Sequence, residues 1–429
     1  MTLVLFGVFA VALLVGVPIA FAMGGAGLLA LVVEGRLSLL SVPQRFFDGI
    51  NSFPLMAVPF FILAADLMTA SGITTALLRF ANAIVGHIRG GLGHVNVVTS
   101  MMFAGISGSA LADAAGPGAV ETRMMARSGY DRDYAAALSA ATAVIGPIIP
   151  PSIIMVIYAL TDPRVTVAGL FLAGVVPGLL LGGALMAMNH WISVRRGYGA
   201  AHAPMGWRER LRALWRALPV LAMPAIIIAG ILSGLFTPTE ASAVAVFYAL
   251  FVGLFVTRTL NARLIAKVLL QSGLVSSAAL LIVAMASLFA WLLTLLQIPQ
   301  ALAAGIGGLT SDPLLIMLIV MVFVLACGLF IDTLPAVIIL VPVLAPLSEQ
   351  FGIHPLHFAM ALVLNLTVGL ITPPVGGVLF VMSSVARVKL ERLARAVLPL
   401  LAAQLVVLLA VVLWPPLSTT VPAWFGYAR

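Results

Sequence analysis

The sequence predicts an all-α protein that crosses a lipid bilayer many times. Of its 429 residues, 62% are hydrophobic and only 8% are charged, and the mean hydropathy is +1.20. A soluble domain carries about 25% charged residues. Apolar runs of about 20 residues, the length that spans a bilayer, recur along the whole chain. The runs are continuous rather than alternating in polarity, which favours membrane helices over the strands of a membrane barrel.

Clusters of basic residues indicate the topology. Segments 195–216, 257–267 and 386–395 are rich in Arg and Lys, whereas segments 297–313 and 345–357 contain neither. Basic loops are held on the cytoplasmic side of a membrane. We therefore attribute the formal net charge of +8 to cytoplasmic loops and not to nucleic-acid binding.

The same charge pattern leaves two apolar stretches that must return to the face from which they enter. They cover about 95–127 and about 314–348, and each is expected to form a re-entrant hairpin. Each is followed by an apolar segment interrupted by Gly and Pro-Pro, at about 134–158 (IGPIIPP) and about 358–385 (GLITPP). Proline has no N–H and a fixed φ, so these two helices should be broken.

Two copies of a hairpin followed by a broken helix, entering from opposite faces, predict an inverted repeat. Such repeats bind ligands at their discontinuous segments near the middle of the membrane. The expected organisation is a first repeat over 1–192, a basic cytoplasmic connector over 193–216 and a second repeat over 217–429. The first 33 residues should form two short helices that separate at Gly16-Val17-Pro18, rather than one long helix.

Acidic residues within the apolar segments are candidate functional residues, because a charge at membrane depth costs about 2.5–3.5 kcal/mol or more. Asp113 and Asp332 lie at the two expected hairpin turns, where each could cap the second arm, bind a cation or do both. Thr237 followed three residues later by Glu240 is typical of a capping box. Asp66 could face a polar interface or a partner chain.

The two helix breaks offer ligands of two kinds. The N-terminus of a half-helix presents free N–H groups to an anion. Unwound carbonyl oxygens around Gly146 and Pro147, and around Gly369 and Thr372, suit a hard cation. A proline kink without a ligand is the simpler alternative for either break alone. Two such breaks, each beside a hairpin, favour ion binding.

Enzymatic functions are disfavoured. The chain has no Gly-x-x-x-x-Gly-Lys-[Ser/Thr] motif, and its only lysines are Lys267 and Lys389, which argues against ATP hydrolysis of that type. A membrane protease with a two-aspartate dyad is the competing enzyme class. However, Asp113 follows Ser-Ala-Leu-Ala and Asp332 follows Gly-Leu-Phe-Ile, rather than the Gly-x-Gly of such proteases. The sequence therefore predicts a secondary transporter and not an enzyme.

Long stretches of the chain resemble the large membrane subunit of TRAP transporters, the tripartite ATP-independent periplasmic carriers. The stretches are NSFPLMAVPFFILAADLM, GSALADAAGPGAVETRMM, GLFTPTEASAVAVFYAL, GLFIDTLPAVIILVPVLAPL and LNLTVGLITPPVGGVLF. The resemblance covers essentially the whole chain. It implies an elevator-type ion transporter superfamily fold in a bacterial inner membrane.

The resemblance also implies sodium symport, with Na+ as the coupling ion. The cargo would be a small organic acid such as a dicarboxylate or sialic acid. A small four-helix membrane subunit and a periplasmic substrate-binding protein would be the protein partners. A one-chain carrier of the same superfamily, which needs no binding protein, is the alternative that the motif details disfavour.

The family pattern assigns three sets of residues when it is carried onto this sequence. Sodium site one comprises Ser107, Gly108, Ser109, Asp113, Gly146 and Pro150. Sodium site two comprises Gly328, Asp332, Gly369, Thr372 and Pro373. The organic acid would contact Ser109, Ala110, Pro151, Thr333, Pro335 and Pro374. Val378 stands where the family usually has Asn, so no side-chain amide is available to a substrate at this position.

Overall fold

The computed structural model describes residues 1–35, 37–199, 205–308 and 310–428, and within these ranges it contains helices and turns but no strand. The helices before the basic connector are α1 (Thr2–Leu14), α2 (Ile19–Glu34), α3 (Ser41–Ile50), α4 (Ala57–Ala70), α5 (Thr74–Val85), α6 (Gly91–Ser107), α7 (Ala110–Asp113), α8 (Ala119–Arg127), α9 (Arg132–Ala143), α10 (Ile153–Thr161) and α11 (Val167–Arg196). Those after it are α12 (Trp207–Leu232), α13 (Pro238–Phe251), α14 (Ala262–Leu295), α15 (Ile298–Gly307), α16 (Pro313–Gly328), α17 (Thr333–Gln350), α18 (Pro355–Gly369), α19 (Gly377–Ala386), α20 (Leu390–Leu413) and α21 (Pro416–Trp424).

Seven helices in the described part of the chain are long and apolar enough to cross a membrane. They are α11, α12, α14, α17, α20, α4 extended by the 3₁₀ turn Phe53–Met56, and α13 extended by the π-helical turn Val252–Val256. The expected class, an all-α protein with several membrane-spanning helices, is confirmed.

The N-terminal segment forms two helices, as expected. Between α1 and α2, Gly16 has φ +86°, a left-handed conformation that glycine adopts without strain. Pro18 follows and caps α2. Since proline cannot donate a backbone hydrogen bond, it prevents α1 from continuing into α2.

Two helix pairs occupy the segments for which hairpins are expected. In the first pair, α6 and α8 are joined by a tip that holds Gly108, the short helix α7 and the π-helical turn Ala114–Gly118. In the second pair, α16 and α17 are joined directly through 329–332. The two tips therefore differ in length, although their positions in the two halves correspond.

Two interrupted helices follow the helix pairs. The first consists of α9 and α10, which are separated at 144–152, and the second consists of α18 and α19, which are separated at 370–376. Both breaks contain the predicted Pro-Pro pairs. Every residue of α9 from Tyr134 onward and every residue of α18 from Leu356 onward is buried, so these half-helices form the centre of the protein.

The surrounding helices enclose this centre. Helix α20 packs against both α9 and α18, and α10 of the first half packs against α17 of the second. Helix α14 packs against α2, α3, α4 and α17. Helix α11 extends into the start of the connector predicted at 193–216, and α12 begins within its end. The division of the chain into two repeats at this connector stays a prediction.

The capping box predicted at the start of α13 is confirmed. The Thr237 hydroxyl accepts the backbone N–H of Glu240 at 3.3 Å, and the Glu240 carboxylate accepts the backbone N–H of Thr237 at 2.8 Å. Two N–H groups that the first turn of a helix leaves unpaired are thereby satisfied. Pro238 occupies the first helical position, where its missing N–H has no cost.

We expect Thr237→Ala to lower the free energy of unfolding by about 1 kcal/mol, because it removes one side of this box. Denaturant unfolding of the purified protein in detergent measures the change. Ser277→Ala on α14 is the matched control, because that exposed hydroxyl bonds only to the Gly273 carbonyl of its own helix. Equal effects of the two substitutions would show that the box does not stabilise the fold.

Candidate functional site

A cavity of about 410 Å³ lies between the tips of the two helix pairs. This volume falls within the range of small-molecule binding sites, about 300–1,000 Å³. The residues that line it come from both tips, from α4, α10 and α14, and from both helix breaks: Ile62, Ala65, Asp66, Ser107, Gly108, Ser109, Ala110, Leu111, Ala112, Pro147, Ile153, Ile154, Val275, Ala279, Asp332, Thr333, Leu334 and Leu370.

The first tip packs tightly against the break between α9 and α10. Gly108 has φ +58°, and a Cβ atom added there would lie 2.9 Å from the Pro151 carbonyl oxygen and 3.0 Å from the Ile153 nitrogen. Both the backbone conformation and the lack of space require glycine. Ser109 follows and caps α7, with its hydroxyl accepting the Ala112 N–H at 3.4 Å.

Asp113 lies behind this tip and is buried. A Cβ atom added to Gly146 would collide with the Asp113 carboxyl, so the two residues are in direct contact. Among the described residues, neither oxygen of Asp113 has a hydrogen-bond partner. The alternative that Asp113 caps a hairpin arm is wrong, because its carboxyl accepts no backbone N–H although Asp113 directly precedes the π-helical turn Ala114–Gly118.

The second tip contacts the other break in a comparable way. A Cβ atom added to Gly369 would lie 2.9 Å from the backbone of Gly328, and the Gly376 N–H donates to the Leu329 carbonyl at 3.3 Å. Here the capping alternative is confirmed, since the Asp332 carboxylate accepts the Thr333 N–H at 2.8 Å at the start of α17.

A buried asparagine ties each helix pair to the interrupted helix of its own half. In the first half, the Asn96 amide donates to the Ser139 hydroxyl at 2.7 Å and accepts from the Thr142 hydroxyl at 2.7 Å. In the second half, the Asn365 amide donates to the Met321 carbonyl at 2.6 Å. Neither asparagine was among the residues predicted from the sequence.

Six of the residues assigned from the family pattern line the cavity, namely Ser107, Gly108, Ser109, Ala110, Asp332 and Thr333. The other assigned residues do not line it: Asp113, Gly146, Pro150, Pro151, Gly328, Pro335, Gly369, Thr372, Pro373 and Pro374. The Thr372 hydroxyl donates to the Val368 carbonyl at 2.9 Å, Pro335 is buried within α17, and Pro374 is exposed. Val378 is buried away from the cavity.

Asp66 also lines the cavity, although the sequence did not predict it as a site residue. It lies on α4, and the Ser272 hydroxyl of α14 donates to its carboxylate at 2.6 Å. The polar interface expected for Asp66 is therefore the wall of the cavity itself. The sequence feature that could have identified Asp66 is that it is the sole acidic residue of an apolar membrane helix.

Asp113 and Asp332, the aspartates of the two tips, do not form a protease dyad. Two carboxyls that share a proton must lie in direct contact. Among the described residues neither oxygen of Asp113 has a hydrogen-bond partner, and the Asp332 carboxylate bonds to Thr333 at the start of α17.

The family model described as "Tripartite ATP-independent periplasmic transporter, DctM component" matches residues 6–417. The chain is 40% identical to the sialic acid TRAP transporter large permease protein SiaM of Vibrio cholerae, over 97% of each chain. It is 41% identical to the C4-dicarboxylate TRAP transporter large permease protein DctM of Pseudomonas aeruginosa, over 94% of each chain. It is 40% identical to the isethionate TRAP transporter permease protein DctMQ of Oleidesulfovibrio alaskensis, over 98% of this chain but 65% of that protein.

A solved structure shares the fold. The YdaH transporter of Alcanivorax borkumensis superposes with a TM-score of 0.64 at 15% sequence identity, covering 90% of this chain and 88% of that one. The full-length relatives are named as permease proteins of transporters and not as enzymes. The family match covers nearly the whole chain, and the chain therefore belongs to the DctM family, the large permease subunits of TRAP transporters.

Proposed function

We infer that this chain moves a small organic acid across a bacterial inner membrane by sodium symport, through an elevator mechanism. The observation that carries the proposal is the 410 Å³ cavity in which the tips of both helix pairs meet. An interrupted helix packs behind each tip, through the contacts of Gly108 and of Gly328. Substrate and ion sites would then share one set of backbone segments.

The chemistry of the cavity favours an anionic substrate. Helices α10 and α17 both begin at its wall, at Ile153 and Thr333, so the positive ends of two helix dipoles lie there. The side chains of Ser107, Ser109 and Thr333 place hydroxyl groups among the lining residues, none of which is Arg or Lys. Hydroxyls and helix termini would therefore bind the carboxylate. The three relatives are named for sialic acid, C4-dicarboxylate and isethionate, all of which are anions.

Sodium site one fits the residues that are present. The buried carboxyl of Asp113 lies against Gly146 and has unused acceptor oxygens, which suits a hard cation that takes oxygen ligands. In the described residues no three His, Cys, Asp or Glu side chains cluster as a metal site. Backbone carbonyls of the breaks would supply the remaining ligands. For sodium site two, the contact of Gly328 with Gly369 beside Asp332 supports the assignment.

An elevator mechanism needs one group of helices that moves as a rigid body and a second group that stays in place. Asn96 and Asn365 join each helix pair to its interrupted helix, so tips and breaks would travel as one body. Helices α4 and α14 line the other wall of the cavity and would stay in place. A small membrane subunit would complete this fixed part, and a periplasmic binding protein would deliver the substrate.

Sodium should stabilise the purified protein against heat more than potassium does at equal ionic strength. Binding to the folded state alone adds about 2.7 kcal/mol at a hundredfold excess over Kd. Gly146→Ala and Gly369→Ala should each reduce this sodium-dependent shift, because the added methyl group collides with Asp113 or with Gly328. Thermal unfolding in detergent measures both effects.

Gly183→Ala on α11 is the matched control, since a Cβ atom there meets nothing within 4 Å. It should keep the full sodium response. A normal response of both the Gly146 and Gly369 variants would contradict the site assignment. An identical response of the wild type to both salts would contradict sodium binding by this subunit, and a pH titration would then test protons as the coupling ion.

Thr333→Val should weaken uptake of the organic acid by about tenfold or more at limiting substrate concentration. The substitution keeps the shape of the side chain but removes a hydroxyl from the cavity wall, and a hydrogen bond to a charged group contributes about 1.5–3 kcal/mol. Uptake of radiolabelled substrate into proteoliposomes, with the partner subunit and binding protein present, measures the change.

Thr69→Val on α4 is the control for this experiment, because Thr69 is an exposed residue that does not line the cavity and its hydroxyl donates to the Ala65 carbonyl of its own helix. Its uptake should match the wild type. Unchanged uptake by the Thr333 variant would remove this hydroxyl from the substrate site.

A further inference from the structure

A second pocket, distinct from the central cavity, lies between α5 and α12. Its volume is about 270 Å³. Arg79 lines it from α5, and Arg212 and Arg216 line it from α12. The remaining lining residues are Gly72, Thr75, Ala76, Glu209 and Ala213. Three guanidinium groups therefore surround a small pocket whose other walls are mostly small side chains.

The charge of this pocket is not balanced within the described chain. Glu209 is the one acidic residue that lines it, so the lining carries three positive charges and one negative charge, a net charge of +2. The ion pairs found in the described residues involve Arg164 and none of these three arginines. The planar guanidinium group binds phosphate oxygens through two parallel hydrogen bonds. The pocket thus offers several donors to a phosphate group and has no internal anion that uses them.

The neighbouring surface of α12 has the character of a helix at a membrane interface. Trp207, Leu211, Trp215 and Leu218 recur every three or four residues and are exposed by 75%, 41%, 66% and 45%. Tryptophan is enriched where the hydrocarbon core meets the headgroups. The basic first turns of α12 would therefore lie at the level of the headgroups, before the apolar remainder of the helix enters the bilayer. The first ten residues of the same helix, 207–216, belong to the basic segment 195–216, which the positive-inside rule assigns to the cytoplasmic side.

We propose that this pocket binds the headgroup of an anionic phospholipid from the cytoplasmic leaflet. Arg79, Arg212 and Arg216 would bind the phosphate oxygens, and the Thr75 hydroxyl would donate a further hydrogen bond. The net charge of +2 favours an anionic lipid such as phosphatidylglycerol over a zwitterionic one, and Glu209 would accept a hydrogen bond from a hydroxyl of the glycerol headgroup. The exposed tryptophans would lie beside the upper part of the acyl chains. Basic pockets between membrane helices are a known type of lipid-headgroup site.

The site would join two parts of the chain that are far apart in sequence. Helix α5 leads directly into α6, the first arm of the first helix pair, and α12 begins the second half. Because the two arginine-bearing surfaces would repel each other without a counter-anion, a bound phosphate should stabilise the packing of α5 against α12.

Titration of the full-length protein in detergent with phosphatidylglycerol tests this proposal. Lipid should raise the thermal unfolding midpoint of the wild type in a saturable way, and native mass spectrometry should detect bound lipid. In the double variant Arg79→Gln/Arg212→Gln, the apparent affinity for phosphatidylglycerol should fall at least tenfold. Phosphatidylethanolamine, which has no net charge and no headgroup hydroxyl, should bind the wild type more weakly.

The double variant Arg208→Gln/Arg263→Gln is the matched control. It removes the same charge from exposed basic segments, but neither residue lines the pocket. It should keep the phosphatidylglycerol response. Equal losses in both double variants would overturn the proposal, because general attraction to negative charge would then explain binding. No response of the wild type to phosphatidylglycerol would also overturn it.

Inorganic phosphate at matched concentration distinguishes a lipid from a free anion. It should leave the midpoint unchanged, and a shift as large as that from phosphatidylglycerol would overturn the lipid assignment. If the double variant is too unstable to purify, Arg79→Lys serves instead. This variant keeps the positive charge but loses the planar guanidinium group that binds phosphate through two hydrogen bonds, so its affinity for phosphatidylglycerol should fall severalfold. An unchanged affinity would overturn the site.

Discussion

An interrupted helix at the depth of a bilayer leaves backbone N–H and C=O groups that lipid cannot satisfy. Such groups persist only where protein or a water-filled cavity surrounds them. This constraint explains why α9 and α18 are the most completely enclosed helices of the protein. It also explains the close contact of Gly328 with Gly369 and of Gly108 with the first break, since each contact covers exposed backbone. The outer helices complete this enclosure.

The elements that could be predicted from the sequence have local causes. Pro-Pro pairs end a helix whatever surrounds them, and the Thr237 and Glu240 pair caps α13 through groups three residues apart. The break before Pro18 has the same local origin. The two helix pairs followed from charge, because basic loops fix which side of the membrane each turn occupies. Local chemistry and loop charge together sufficed for the fold class.

The site itself was only partly predictable, because its walls are assembled from distant parts of the chain. Asp66 and Ser272 meet across 206 positions, and nothing in either local sequence indicates the other. Asp113 was an equally good local candidate for a helix cap, but its carboxyl accepts no backbone N–H and lies against Gly146. The asparagine bonds of Asn96 and Asn365 also depend on tertiary contacts alone. The family pattern supplied residues near the cavity without distinguishing those that line it from those behind it.

At each tip, backbone and side chains have different contacts. Gly108 and Gly328 seal the breaks through main-chain atoms, whereas the neighbouring residues 109–112 and 332–334 present side chains to the cavity. If the cavity binds the cargo as proposed, changes at those neighbouring positions would alter what it recognises and leave the backbone contacts behind it in place. Under the proposed function, the cargo could therefore change in small steps through a few side chains on the cavity wall. A Cβ atom at Gly108 or Gly369 would instead collide with backbone atoms, so those two positions are restricted to glycine.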